Sequence, residues 1–400
     1  MCSGARAVRS GLPNILYSPR YIHPRPCGIR GRHAPASSLP AMITIAIHTY
    51  ERALSLRATL ESHGIPVELT NVLHDSPEFT SGVRVRIPEE QLPLALRIIE
   101  GDESTPAPGN SILVPVDFSE HSFKAVTVAA GIAARLETPV KLLYSYLDPY
   151  IAGNLQFSDN ISYELGESGA REAMEEAGRR LMHNFLERVH RGIADGLISK
   201  VKLESIVVEG VPEDAIIEYA KNEKPPLIVM GTRGSEQKSR ELIGSVTGEV
   251  LDEGRFTVLT VPDPTEKDTL LRPDNILFLG NLDQNDIIAL DTLYRLYPDI
   301  HASVTLSYMS RRRGLGETAV KAGLKRLKTY CDNNFSRFSF ETAMLPKASE
   351  DDFEKLAEKH KCALLVVPNR HRNAFSRLFK PGIANRILFH TDLPMLVIPK

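Results

Sequence analysis

Leu227-Ile228-Val229-Met230-Gly231-Thr232-Arg233-Gly234, followed ten residues later by Gly244-Ser245-Val246-Thr247, is the stretch on which the reading of this chain turns. The first four residues form a continuous apolar run, the pattern of a parallel strand covered on both faces. The run leads directly into Gly231 and Gly234, and Gly244-Ser245-Val246-Thr247 open a helical stretch that continues Gly248-Glu249-Val250-Leu251 and stops near Gly254. Glycines after a strand allow a sharp turn and close backbone approach to a ligand. Exposed N–H groups at such a turn make an anion nest. A helix beginning at Gly244 and Ser245 offers unpaired N–H groups and the positive end of its dipole, which favour phosphate. Ser245 and Thr247 add hydroxyl donors, so two donor clusters are placed to hold a polyphosphate from both sides. The competing reading is of glycines that only make turns.

The surrounding sequence repeats. Ile112-Leu113-Val114-Pro115-Val116 matches Ile276-Leu277-Phe278-Leu279-Gly280, and Val140-Lys141-Leu142-Leu143-Tyr144 matches Val304-Thr305-Leu306-Ser307-Tyr308. Leu227–Met230 matches Leu364–Val367, and Val258–Pro262 matches Leu396–Pro399, in the same order. A repeat at this scale predicts a tandem pair of units, 110–263 and 274–400. Short apolar runs alternating with helical stretches predict an α/β fold with a doubly wound parallel sheet in each. Ser119 is the expected N-cap of a helix over Glu120 to Leu136. The polar stretch 151–175 reads as a flexible loop entering a helix at about 171–191.

Gly-x2-Gly-x9-Gly-Ser, filled by Gly231, Gly234, Gly244 and Ser245, resembles the ATP-binding signature of the universal stress protein family. The flanks are similar too. Pro115-Val116-Asp117-Phe118-Ser119 resembles the end of that family's first strand, where the acid helps hold adenine or ribose; Asp117 takes that place here. Ser145 matches a position whose backbone faces adenine. Val208-Glu209-Gly210-Val211-Pro212 resembles the turn before the fourth helix, and Val258 to Pro262 the closing strand. The resemblance spans the first unit and, more weakly, the second. It implies two tandem domains of the adenine nucleotide α-hydrolase-like type. It implies ATP or another adenine nucleotide as ligand, with Mg as a candidate companion ion. The implied contact set is Pro115, Val116, Asp117, Ser145, Gly231, Thr232, Arg233, Gly234, Gly244, Ser245, Val246 and Thr247. Family members dimerise through their last strands, so Thr257–Val261 and Met395–Ile398 are expected to pair within this chain, protecting two sheet edges. Homo-oligomers are not excluded.

The second unit departs from the signature. Its loop reads Pro368-Asn369-Arg370-His371, with Pro381-Gly382 where Gly-Ser would fall and Asn281 in place of Asp117. Proline removes a donor, so nucleotide binding of this kind is not expected there, and the unit reads as a degenerate structural partner. The basic runs 370–380 and 311–313 read as solvated loops.

Residues 42–101 read as strand, helix, strand, strand, helix: 43–47, 51–63, 65–72, 83–87 and 89–99. That order suggests a small ferredoxin-like α+β module. Thr49-Tyr50-Glu51, His63-Gly64-Ile65-Pro66-Val67 and Gly82–Pro88 resemble a small prokaryotic family of signal-transducing proteins. Residues 102–109 read as a linker. Residues 1–41 carry six arginines and no acid. They read as a disordered leader, as a transit peptide, or as sequence upstream of a true start at Met42, and are set aside from the fold.

Composition excludes several classes. A net charge of −2 gives no basis for nucleic-acid or membrane-surface binding. No apolar run is long enough to span a bilayer. Cys2, Cys27, Cys331 and Cys362 form no CxxC pair, which points to reduced thiols in a cytoplasmic protein and to no metal site. There is no Gly-x4-Gly-Lys-[Ser/Thr] loop and no Gly-x-Ser-x-Gly elbow. No catalytic residue is assigned. The expectation is a nucleotide-dependent stress-response or signalling switch acting on an unknown protein partner. Two alternatives stand beside it: a slow ATPase or phosphotransferase, and an interaction protein that binds no ligand.

Overall fold

The computed structural model describes residues 41–48, 50–71, 83–99, 111–147, 161–232, 245–263, 265–309, 316–345, 350–368 and 393–399. The loop 233–244, with Arg233, Gly234 and Gly244, lies outside them, as do the leader, the linker and the run 369–392. Met1–Glu103 and Ser104–Lys400 form two units.

In the first unit, β1 (Met42–His48), α1 (Tyr50–Ser62), β2 (Glu68–Asn71), β3 (Val83–Pro88), a 3-10 turn (Glu89–Gln91) and α2 (Leu92–Ile99) follow in that order. The sheet runs β1-β3-β2, with β3 antiparallel to both neighbours. The alternation in β3 buries Val83, Val85 and Ile87 together with Ala53 and Leu60 of α1 and Ala95 and Leu96 of α2. Gly64 ends the α1 turn at φ 79°, where a side chain would be strained. β2 starts later than expected, after Pro66, which has no N–H for a ladder. The expected helix from Glu89 starts as a 3-10 turn, and Pro93 falls in the first turn of α2, where its missing N–H costs nothing.

In the second unit, the chain runs β4 (Ile112–Pro115), α3 (Glu120–Leu136), β5 (Val140–Tyr146), α4 (Ile161–Ala194), β6 (Leu203–Glu209), α5 (Pro212–Glu223), β7 (Ile228–Thr232), α6 (Ser245–Glu253) and β8 (Val258–Pro262). After α7 (Lys267–Leu271) it continues β9 (Asn275–Gly280), α8 (Gln284–Leu296), β10 (Ala302–Met309), α9 (Glu317–Asn334), β11 (Phe338–Leu345), α10 (Glu350–Lys359), β12 (Leu364–Pro368) and β13 (Met395–Ile398).

These strands make one ten-stranded sheet, ordered β11-β10-β9-β12-β13-β8-β7-β4-β5-β6. Every pairing is parallel except β8–β13, which is antiparallel, with Thr260 opposite Met395, Leu259 opposite Leu396 and Val258 opposite Val397. The two halves therefore have the same internal order about a central seam. β8 and β13 are apolar except for Thr260 and fully buried; alone, each would be an exposed edge. One apolar cluster spans the seam, joining Met230, Val250 and Val258 to Leu279, Phe353, Leu365 and Val397.

α7 crosses back over α3. A Cβ at Gly131 would stand 2.4 Å from the Leu271 side chain, which would have to shift to admit it. Arg135 of α3 donates to the Leu271 carbonyl and lies 3.5 Å from Asp299.

One element of the second unit differs from its sequence reading. α4 begins at Ile161, about ten residues before the expected start at 171, so part of the polar stretch is helix. That extension carries Gly166 and Gly169, which lower its helix propensity.

Candidate functional site

β4 lies between β5 and β7, and the chain leaves it in opposite directions on the two sides. That makes the end of β4 the topological switch point, where ligands of open α/β sheets bind. β4 is also the shortest of the three. Pro115 has no N–H to extend its ladder with β7. β5 runs on to Tyr146 past the pairing of Pro115 with Leu143, and β7 runs on to Thr232 past the pairing of Leu113 with Ile228.

The backbone of both neighbours turns into this gap. The Leu143 carbonyl accepts from Val116 N at 2.9 Å, whereas the Tyr146 carbonyl accepts from Gly210 N on the β6 side. Alternate residues of a strand direct their backbone groups to opposite neighbours, so Ser145 directs its own toward the β4 side, beyond the last β4 residue. The same logic holds in β7. Leu227 O accepts from Leu113 N, and Ile228 N donates to Thr257 O on the β8 side. Gly231 therefore points its backbone groups over the end of β4 from the other flank. Ser145 lies inside its strand, and the strand geometry is what aims it.

Gly231 also sits inside a strand, opposite Val261, with no left-handed turn. Its lack of a side chain has a cause within the fold itself. A Cβ there would lie 2.4 Å from the backbone oxygen of His121, in the first turn of α3. The glycine lets α3 start hard against β7.

Between β4 and α3 the chain makes one abrupt corner. Phe118 has φ 66°, a left-handed conformation that few side chains adopt. The Asp117 carboxylate braces it, its Oδ1 accepting from Ser119 N at 3.0 Å and Ser119 Oγ at 2.5 Å. Ser119 Oγ in turn accepts from Ser122 N, as the expected N-cap does, and α3 spans Glu120–Leu136. Partial desolvation pushes the Asp117 carboxyl up, but the hydrogen bonds from Ser119 and Ser122 outweigh it and hold it below the ordinary aspartate value. Asp117 is exposed at the mouth of the gap, so it has both a capping role and access to a ligand. The Phe118 ring packs 4.5 Å from Tyr144 and 5.6 Å from Phe185, centroid to centroid.

The remaining sequence-predicted residues divide. Pro115 and Val116 sit at the end of β4, with Val116 buried. Ser245 begins α6, and Val246 is half-buried in its first turn. Thr232 and Thr247 are both 4% exposed, so neither hydroxyl lies on the surface. Ser122, buried and donating to Ser119 O at 3.0 Å, was not singled out from the sequence. Nor was the left-handed Phe118. The recurrence of Asp117-Phe118-Ser119 as Asn281-Leu282-Asp283 was the available signal, since Leu282 has φ 57°.

A model of the universal stress protein family matches residues 110–262, which takes in β4 through β8 and the whole of this corner. Over 151 residues the chain is 30% identical to a universal stress protein of Thermus aquaticus, covering 38% of this chain and 97% of that one. The chain belongs to the universal stress protein family. Universal stress protein MJ0531 of Methanocaldococcus jannaschii is 28% identical over 157 residues, covering 39% of this chain and 84% of its own. The crystal structure of a universal stress protein from Archaeoglobus fulgidus superposes with a TM-score of 0.54 at 16% identity, covering 73% of this chain and 98% of that one. The likeness in fold thus reaches well beyond residue 262. Among the described residues, no helix of this stress protein is long and apolar enough to cross a membrane.

Proposed function

We propose that the first half of the ten-stranded sheet, residues 110–263, binds ATP or a related adenine nucleotide over the end of β4, and that the chain works as a nucleotide-dependent stress-response switch in the cytoplasm. The observation that carries this reading is the short β4 between two longer neighbours, with Ser145 and Gly231 both turning backbone groups over its end. Backbone donors and acceptors of fixed direction suit the edge of a base, and Asp117 at the mouth suits a ribose hydroxyl. α6 starts at Ser245, directly after the loop that carries Gly234 and Gly244, and its N-terminal amides suit phosphate. Mg would come with the nucleotide.

Residues 274–400 are read as a degenerate stress domain that serves as the fixed partner of the first. Identical strand order and the antiparallel seam support this pseudo-dimer. Residues 42–101 are read as a ferredoxin-like signalling module, supported by the β1-β3-β2 order. The nucleotide would engage the stretch 232–247 and change the surface offered to a protein partner.

Calorimetric titration of the full chain with ATP, ADP, AMP and a cyclic dinucleotide tests the reading. Saturable binding of an adenine nucleotide, weakened in Gly234→Ala and Asp117→Ala, is the expected result. No heat with any of the four would overturn it. Phosphate release at a steady rate in the same samples would move the protein to the ATPase reading.

A further inference from the structure

The corner that opens the first half is shut from within in the second. At the end of β9, the backbone N–H groups of Asn281 and Leu282 both point at the carboxylate of Asp286, in the first turn of α8. Asn281 N donates to both carboxylate oxygens, at 2.9 and 3.0 Å, and Leu282 N donates to Oδ2 at 2.7 Å. Asp286 is completely buried. A charged carboxylate survives burial only when its oxygens are met by donors, and two amides of one left-handed corner meet it here.

The chain has made room for this group. A Cβ on Gly280 would stand 2.6 Å from Asp286 Oδ2. In the first half the residue matching Gly280 is the buried Val116, and the residue matching Asp286 is Ser122. Valine and carboxylate exclude one another at this corner, so each half holds one compatible pair: Val116 with Ser122, or Gly280 with Asp286. Across the gap, Asn281 Nδ2 donates to Pro368 O at 3.4 Å, tying the end of β9 to the end of β12. Pro368 matches Gly231, whose backbone in the first half faces the gap.

We propose that Asp286 is a resident anion, a carboxylate supplied by the chain that fills the anion-seeking corner of the second half and closes it to any external anionic ligand. The pair Gly280 and Asp286 makes the second half the fixed half, and the full chain takes one nucleotide rather than two. Only that count leans on the nucleotide reading of the first half; the occupied corner does not.

Hydrogen–deuterium exchange of the full chain without nucleotide tests the lock, on Asp286→Ala and, independently, Gly280→Ala. The second variant leaves Asp286 in place but pushes its carboxylate off the amides. In each, the amides of Asn281 and Leu282 should exchange about tenfold faster or more, with the central residues of β9 and α8 unchanged. Unaltered exchange at those two amides in a folded variant overturns the proposal, and so does a rise spread evenly over β9 and α8. If Asp286→Ala fails to fold, Gly280→Ala decides. Equilibrium dialysis of the wild-type chain against ATP supplies the count. Two nucleotides per chain overturns the closed corner, one supports it, and none removes the nucleotide reading while exchange still judges the lock.

Discussion

At the scale of single residues, the corner at 117–119 is held by hydrogen bonds that can be removed one at a time. Ser119→Ala deletes the cap of α3 and should cost about 1 kcal/mol in chemical denaturation. Asp117 adds a pH dependence of known sign. Its folded value lies below its ordinary one, so its contribution is complete above the ordinary carboxyl value and is lost as pH falls through the folded one. Asp117→Asn should flatten the fall of the denaturation midpoint in that acid window; an unchanged slope would mean the braced carboxylate does not stabilise the corner. Gly231→Ala separates two explanations for one glycine. A methyl group there meets the His121 backbone oxygen, which cannot swing aside as a side chain would, so the ligand-free chain should lose about 1–3 kcal/mol. A variant as stable as wild type would instead return Gly231 to a purely ligand-facing role. Cys331 and Cys362 are a further residue-scale case. Burial pushes both thiols up, Cys362 to about 11, so peptide mapping after iodoacetamide treatment at pH 8 should find both unmodified until the chain unfolds.

At the scale of elements, strand positions were legible because parallel strands buried on both faces spell continuous apolar runs, and the repeat doubled the signal. Ser119 was legible because a cap is a local contact. The start of α4 was not, since an extension carrying Gly166 and Gly169 has low helix propensity. The reason for Gly231 was hidden as well, because the atom it avoids lies on a helix more than a hundred residues earlier. The Gly280–Asp286 pair was missed for a related reason: a buried acid at the start of a helix reads as an ordinary dipole partner until the amides it meets are seen. The seam is the element on which the two halves depend. Only three residue pairs join β8 to β13, and Thr260 reinforces them, its Oγ1 accepting from Met395 N at 3.1 Å and donating to Met395 O at 3.4 Å. Thr260→Val keeps the shape but removes both of these side-chain bonds, which should cost about 1 kcal/mol. A loss indistinguishable from zero would show that the apolar cluster alone carries the seam.

At the scale of the molecule, the question is whether the halves of residues 104–400 fold as one. They share a sheet, a core cluster across the seam, and a strap, α7, whose buried Leu270 and Leu271 lie between them. Tyr297 of the second half donates to the Leu270 carbonyl at 3.2 Å, while Lys267 reaches back to the Leu197 carbonyl of the first at 2.8 Å. Splitting the halves would expose β8 and β13, two mostly apolar edges, so a state with one half folded and the other open gains little. The chain contains no tryptophan, which allows a clean test. Tyr219→Trp reports on the first half and Tyr294→Trp on the second, both from half-buried positions. The two fluorescence transitions in urea should coincide, as a single cooperative unit requires. On the proposed reading, in which the first half alone takes the nucleotide, saturating ATP should then raise both midpoints together, by an amount equivalent to about 2.7 kcal/mol at a hundredfold excess over the dissociation constant. Separate midpoints without ligand, or a shift confined to the Tyr219→Trp signal, would make the seam a contact between independent domains. The second half could then no longer act as the rigid base against which nucleotide binding moves the first.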